Sequence, residues 1–136
     1  MITERHAVTQ TIDGDRVETF IKEVVHLDGP PPLAMVRKRL PDAKGPPRAA
    51  LLLTHGFGQN RYAWHLSRRS FVNHLAADGF DVFNLDLRGH GRSRVLDTRG
   101  CAVIDEYIHH DIPRALDAAL ALSGGARAFV VGHSLG

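Results

Sequence analysis

Nine residues at the carboxyl end, Ala128-Phe-Val-Val-Gly-His-Ser-Leu-Gly136, narrow the possible folds more than any other stretch of this chain. Phe129, Val130 and Val131 form an apolar run too short for a helix and suited to a buried strand. The run leads directly into Gly132-His133-Ser134-Leu135-Gly136, which fits G-x-S-x-G. That pattern describes a strand turning abruptly into a helix, with a serine held at the apex in a strained backbone conformation. Glycines two before and two after the serine remove Cβ atoms where strand and helix cross closely. A serine so placed stands clear of the sheet edge, where a substrate carbonyl can reach its hydroxyl. Read alone, the pattern also admits a turn serine between glycines, the lesser reading, so the surrounding chain has to decide.

A chain of 136 residues is one domain at most, and long enough to bury a core. A formal charge of +2, from fourteen arginines and three lysines against 15 acidic residues, is too small to point to nucleic acid. The short basic runs Arg37-Lys38-Arg39 and Arg68-Arg69 lack the interleaved aromatics of a single-strand binder and read as solvated faces. The single cysteine, Cys101, excludes an internal disulfide and suggests a reducing compartment. The polar start, Met1-Ile-Thr-Glu-Arg-His, leads into no signal-peptide h-region, and no stretch reaches the roughly 20 apolar residues of a membrane span. These features together predict a cytoplasmic protein of undetermined oligomeric state.

Residues 16–27 and 33–40 are strand-like and separated by Asp28-Gly29-Pro30-Pro31-Pro32, which predicts an antiparallel pair over residues 1–47 with a structural role. After Pro46-Pro47 the pattern changes. Ala49 to Thr54 is a continuous apolar run, as expected of a strand covered on both faces. It ends in His55-Gly56-Phe57-Gly58-Gln59-Asn60. A helix is predicted from about Ala63 to Ala77, with Leu66, Phe71 and Leu75 on one face. Phe80 to Leu87 reads as the next strand, running into Arg88-Gly89-His90-Gly91-Arg92-Ser93. Residues 94–104 look irregular. Residues 105–122 have helical spacing, either restarting at Pro113 with Asp111 as N-cap or kinking there. The order predicts an α/β fold, a mostly parallel sheet with helices on both faces. In such sheets working residues gather at the carboxyl ends of the strands, where all three glycine-bearing stretches lie.

Taken together, Leu-Thr-His55-Gly56-Phe57-Gly58, Leu-Asp86-Leu-Arg88-Gly89-His90-Gly91-Arg92-Ser93 and Val-Gly132-His133-Ser134-Leu135-Gly136 resemble the α/β-hydrolase fold. The resemblance is to its serine-hydrolase branch, near esterases and monoglyceride-lipase-like members, and covers residues 48–136 as the N-terminal part of that domain. It implies Ser134 as a nucleophile forming an acyl-enzyme. It also implies an oxyanion hole from the backbone N–H groups of Leu135 and Phe57. His55, Gly56, Gly58, Asp86, Arg88, Gly89, His90, Gly91, Gly132, His133 and Gly136 would support these loops. His55 would brace the oxyanion loop or take part in the site, Asp86 and Arg88 would form a strand-end network or bind substrate, and His133 would pack beside the elbow. A serine at the apex, rather than aspartate or cysteine, argues within the family against the dehalogenase, epoxide-hydrolase and polyester-synthase branches. The substrate implied is a small-molecule ester, with no cofactor.

The family's order is serine, then acid, then histidine, whereas all nine histidines here precede Ser134. The chain therefore reads as the front half of a longer hydrolase, truncated after the elbow and expected to be inactive and poorly folded alone. Thioesterase, acyltransferase, peptidase and haloperoxidase chemistries stay open, as does a non-catalytic binding or regulatory module on the half-fold. His109-His110-Asp111 is weighed as a metal site and set aside, because adjacent helical positions diverge by about 100° and no second ligand cluster accompanies them. Neither Gly56-Phe-Gly58 nor Gly89-His-Gly91 completes G-x-G-x-x-G, so a dinucleotide reading fails on spacing.

Overall fold

The computed structural model describes residues 1–100, 103–125 and 127–136; Cys101 lies outside them. Six strands form one sheet in the order β1-β2-β3-β5-β4-β6, with β1 Ile2–Asp13, β2 Arg16–Leu27, β3 Leu33–Arg39, β4 Ala50–Thr54, β5 Asp81–Asp86 and β6 Ala128–Gly132. The first three strands form an antiparallel meander, and β3 pairs antiparallel with β5. The parallel part is β5-β4-β6. The sheet is therefore mixed, its parallel character confined to the half that carries the glycine-bearing loops. The apolar run of β4 is buried at all five positions because strands flank it and side chains cover both faces.

The core divides between those faces. On one, Leu33, Met35, Leu52, Phe83 and Leu85 pack against Tyr107, Ala115 and Ala119 of the C-terminal helical stretch. On the other, Phe20, Leu51, Leu53 and Val82 pack against Val72 and Ala76 of α1, Phe71–Ala77. The alternation in β4 puts neighbouring leucines into different clusters, as a period of two requires.

Several expectations are corrected. The N-terminal region holds three strands, not two, because β1 pairs with β2 through a tight turn at Asp13-Gly14-Asp15. The helix predicted over 63–77 reduces to a 3₁₀ turn at Arg61–Trp64 and the short α1. Ser70 Oγ accepts the Asn73 N–H at 3.0 Å and starts α1 there, so Leu66 precedes the helix and both it and Phe71 are exposed. A short helix, α2, Gly91–Leu96, starts in the second glycine-rich loop and runs into the segment 94–104 expected to be irregular. Near Pro113 an α-helix starts as expected, with Asp111 at its N-cap position, though without a side-chain cap, and Pro113 in its first turn. The chain here runs as α3, Ile104–Glu106, a π turn at Tyr107–Asp111, and α4, Ile112–Leu122. Pro113 has no N–H to donate, and the Ile112 N–H just before it reaches back to the Tyr107 carbonyl across the π turn. β6, expected to be buried, is an edge strand pairing with β4, and Phe129 and Val130 are 49% and 47% exposed. Among the described residues no helix is long and apolar enough to cross a membrane.

One buried charge cluster ties the layers together. Arg37 of β3 is held by Asp81 through Nε at 2.8 Å and Nη2 at 2.7 Å, and by Glu23 through Nη1 at 2.9 Å. Nη2 also donates to the Leu122 carbonyl at the end of α4, at 2.9 Å. Burial by itself would push the guanidinium pKa down, but the hydrogen bond and charge of Asp81, with Glu23, leave it raised. Removing the cation strands two buried carboxylates, a loss of about 3–5 kcal/mol. Urea unfolding of Arg37→Met should show a loss of that order. Replacing Glu23, Arg37 and Asp81 together with apolar residues should recover most of it.

Candidate active site

The carboxyl ends of β4, β5 and β6 lie side by side, since Thr54 is in register with Leu85 on one side and Gly132 on the other. The three loops singled out in the sequence therefore converge. At the end of β6 the backbone of Ser134 has φ +58°, making it the sole non-glycine residue with positive φ among the described residues. A non-glycine residue there carries a strain of about 1–3 kcal/mol, which persists only where the surroundings impose it. The His133 N–H donates to the Thr54 carbonyl at 3.2 Å, and the Gly136 N–H to the His133 carbonyl at 3.1 Å, closing the turn.

The flanking glycines are steric necessities. A Cβ on Gly132 would sit 2.0 Å from the Gly136 carbonyl oxygen, and one on Gly136 would sit 2.6 Å from the carbonyl oxygens of Thr54 and His55. The turn is thus pressed against the start of the β4 loop. A Cβ at Gly56 would lie 3.2 Å from Ser134 Cβ and 3.2 Å from His133 Nδ1, which puts the serine directly beside that loop. Ser134 and His133 are exposed, and His133 meets the Trp64 ring edge-on at 6.4 Å. The Gly56 N–H donates to Gln59 Oε1 at 3.1 Å. Among the described residues, the N–H groups of Phe57 and Leu135 donate to no protein acceptor. Phe57 projects outward, 80% exposed, and Gly58 follows with φ +70°.

His55 is fully buried beneath this loop. Its Nε2 accepts the Leu87 N–H at 3.1 Å, so the ring proton sits on Nδ1 and is donated to the Gly56 carbonyl at 2.9 Å. The imidazole therefore clamps the turn after β4 to the turn after β5. Burial is the main reason its pKa lies below the usual 6.5.

The loop after β5 is a second bracing network. Buried Asp86 accepts from the Arg61 N–H at 2.8 Å, Arg61 Nη1 at 2.6 Å and the Arg92 N–H at 2.9 Å. Gly91 has no room for a side chain, because its Cβ would lie 2.2 Å from Asp86 Oδ1. Ser93 Oγ donates to the Asp86 carbonyl at 2.5 Å and accepts the Ala34 N–H at 2.8 Å, stitching α2 across β5 and β3. Arg88 grips Asp111 with Nε and Nη2, both at 2.7 Å, and Glu106 with Nη1 at 2.8 Å. Gly89 turns the chain with φ +74°, and His90 Nδ1 donates to the Arg88 carbonyl at 2.9 Å, its ring 5.1 Å from that of His55.

Asp86 and Arg88 are thus engaged with the fold at the strand end. Arg61, Ser93, Glu106 and Asp111 brace these loops in a role that the motifs did not assign them. Asp111 carried a legible signal, because it shares the buried stripe of Ala115 and Ala119 at helical spacing, and a carboxylate on such a stripe needs a cation. Among the described residues no group of three His, Cys, Asp or Glu side chains is placed to hold a metal ion.

A family model described as the alpha/beta hydrolase fold matches residues 49–136. Epoxide hydrolase B of Mycobacterium tuberculosis is 35% identical over 96 residues, 71% of this chain and 24% of that protein. A Saccharomyces cerevisiae protein named as a probable alcohol acetyltransferase is 33% identical over 94 residues, 68% of this chain and 25% of its own length. Among solved structures, an epoxide hydrolase from an endophytic Streptomyces matches with a TM-score of 0.53 at 28% identity, covering 85% of this chain and 30% of that one. An esterase from Pyrococcus furiosus matches with a TM-score of 0.62 at 18% identity, covering 86% and 44%, a likeness of fold. The chain spans about a quarter of the length of the curated relatives it matches.

Two outcomes follow from the clamp and the elbow. Folded His55 resists a proton that the unfolded chain takes up below pH 6.5, so its stabilising contribution is present above that pH and is lost as pH falls below it. Chemical unfolding from pH 7.5 downward should show stability falling below pH 6.5, with a shallower slope in His55→Asn. Gly132→Ala should collapse the turn, seen as loss of soluble, cooperatively folding protein.

Proposed function

The chain belongs to the α/β-hydrolase-fold family, and from that premise we propose that it carries the nucleophile half of a serine hydrolase acting on carboxylic esters. The observation that carries this reading is Ser134, exposed at the end of a parallel strand with φ +58° and pressed against the His55-Gly56-Phe57 loop. Ser134 Oγ would attack the ester carbonyl, form an acyl-enzyme and release the alcohol. The N–H groups of Phe57, in the loop beside Ser134, and of Leu135, the residue after it, donate to no protein acceptor among the described residues and would hold the oxyanion. One such donor is worth about 3–4 kcal/mol in the transition state. A serine hydroxyl needs a base, and among the described residues no histidine hydrogen-bonds Ser134. The base and its acid partner are accordingly assigned to a segment outside this chain, and the 136 residues alone are assigned no activity.

Two named relatives are epoxide hydrolases, yet the apex residue favours acyl chemistry here. A serine oxygen attacking an epoxide carbon would leave an ether, which water does not cleave. Attacking an ester leaves a second ester, which water does cleave. The same acyl-enzyme could pass to an alcohol in place of water, the reading favoured by the yeast relative named for acetyl transfer.

Treating the natively produced protein with a fluorophosphonate and measuring intact mass tests the assignment. One adduct should form on Ser134, and Ser134→Ala should lower kcat for ester hydrolysis by about 10⁴-fold or more. A protein that takes no adduct, with function indifferent to Ser134→Ala, is a binding module and not an enzyme.

A further inference from the structure

Away from the elbow, on the α1 face of the sheet, lies a cavity of about 150 Å³ lined by Gln10, Lys22, Lys38, His65, Val72 and Asn84 among others. Lys38 is 2% exposed, and its ammonium donates to two neutral acceptors, Gln10 Oε1 and Asn73 Oδ1, both at 2.6 Å. A third N–H is left over. Directly across the antiparallel β2–β3 pair stands Lys22, in register with Lys38. Like charges in that position repel, and among the described residues neither lysine has a carboxylate within 4.0 Å. Arg61, also in the wall, is already matched by Asp86 at 2.6 Å.

The wall also holds an unmatched acceptor. Asn84 is 3% exposed, and its Nδ2 donates to the Arg61 carbonyl at 2.8 Å. That bond fixes the amide and leaves Oδ1 buried without a partner. Burial, with Lys22 beside it, pulls the Lys38 ammonium down to about 7, which records how poorly the protein alone satisfies that charge. Burial and the same lysines hold His65 down at about 4. The cavity thus sets two lysines with no carboxylate beside them around one lone acceptor, and an anion that carries an O–H satisfies all three while drawing the Lys38 proton back on.

We propose that the cavity between Lys22, Lys38 and Asn84 is a binding site for inorganic phosphate, whose oxygens accept from the two lysines while its remaining O–H donates to Asn84 Oδ1. Sulfate matches phosphate in shape but has no O–H at neutral pH, and a phosphate monoester, with a second pKa of about 6, has mostly lost its own.

Calorimetric titration of the complete protein at pH 7.5 and constant ionic strength tests this. Inorganic phosphate should saturate one site, about tenfold tighter than sulfate or methyl phosphate, the step expected for one hydrogen bond to a buried acceptor. Lys38→Met should weaken phosphate about thirtyfold, as loss of a charged hydrogen-bond donor implies. Lys22→Gln, at a half-buried strand position, should weaken it about fivefold and tests the site independently if Lys38→Met misfolds. By NMR, saturation should raise the His65 pKa in the parent and less so in Lys22→Gln. Methyl phosphate binding as tightly as phosphate would assign the site to monoesters and overturn the role of the O–H, as would equal sulfate affinity. No saturable binding, or binding unchanged in both lysine variants, would sink the site altogether.

Discussion

A single guanidinium holds the layers of this fold in register. Arg37 reaches β5 through Asp81, β2 through Glu23 and the end of α4 through the Leu122 carbonyl, and lies 5.4 Å over the Phe83 ring. Arginine suits the position because its donors form a rigid fork that can serve three elements at once. Without that knot, the antiparallel N-terminal meander and the parallel half would be joined mainly by the β3–β5 ladder. The strand ends that carry the glycine-bearing loops could then shift against one another.

The same device recurs at the other end of β5. Arg88 fastens the helical stretch through Asp111 and Glu106, Asp86 fastens the Arg61 turn and α2, and His55 joins the loops after β4 and β5. Charged and polar residues of the motifs are thus mostly occupied in holding loops still. The serine end is left with exposed side-chain and backbone groups. This division suits a site where positions matter to fractions of an ångström.

The sequence was most readable where burial on two faces left continuous apolar runs, as in β4 and β5, and where punctuation was sharp, as at Gly132 and Gly136. β1 escaped because its outer half alternates polar with polar, Thr, Glu, Arg and His all facing solvent, so no buried face marks the period. The overlong helix at 63–77 arose from Leu66 and Phe71, apolar residues that lie at the surface. The edge position of β6 was illegible, because an apolar triplet looks the same whether one neighbour or two pair with it. Residue-to-residue ion pairs such as Arg88–Asp111 depend on tertiary proximity, which spacing along the chain does not encode.

The conformation of Ser134 is not a local property. The tripeptide around it would relax on its own; what bends it is the docking of Gly132 and Gly136 against Thr54 and His55, laid down far earlier in the chain. During synthesis the N-terminal strands emerge first, and the serine is among the last described residues to appear. Until β6 docks beside β4, that side chain is an ordinary seryl hydroxyl in a mobile segment. The bend at Ser134 therefore arrives only with the pairing of β6 to β4, so its geometry reports on strands assembled from both ends of the chain.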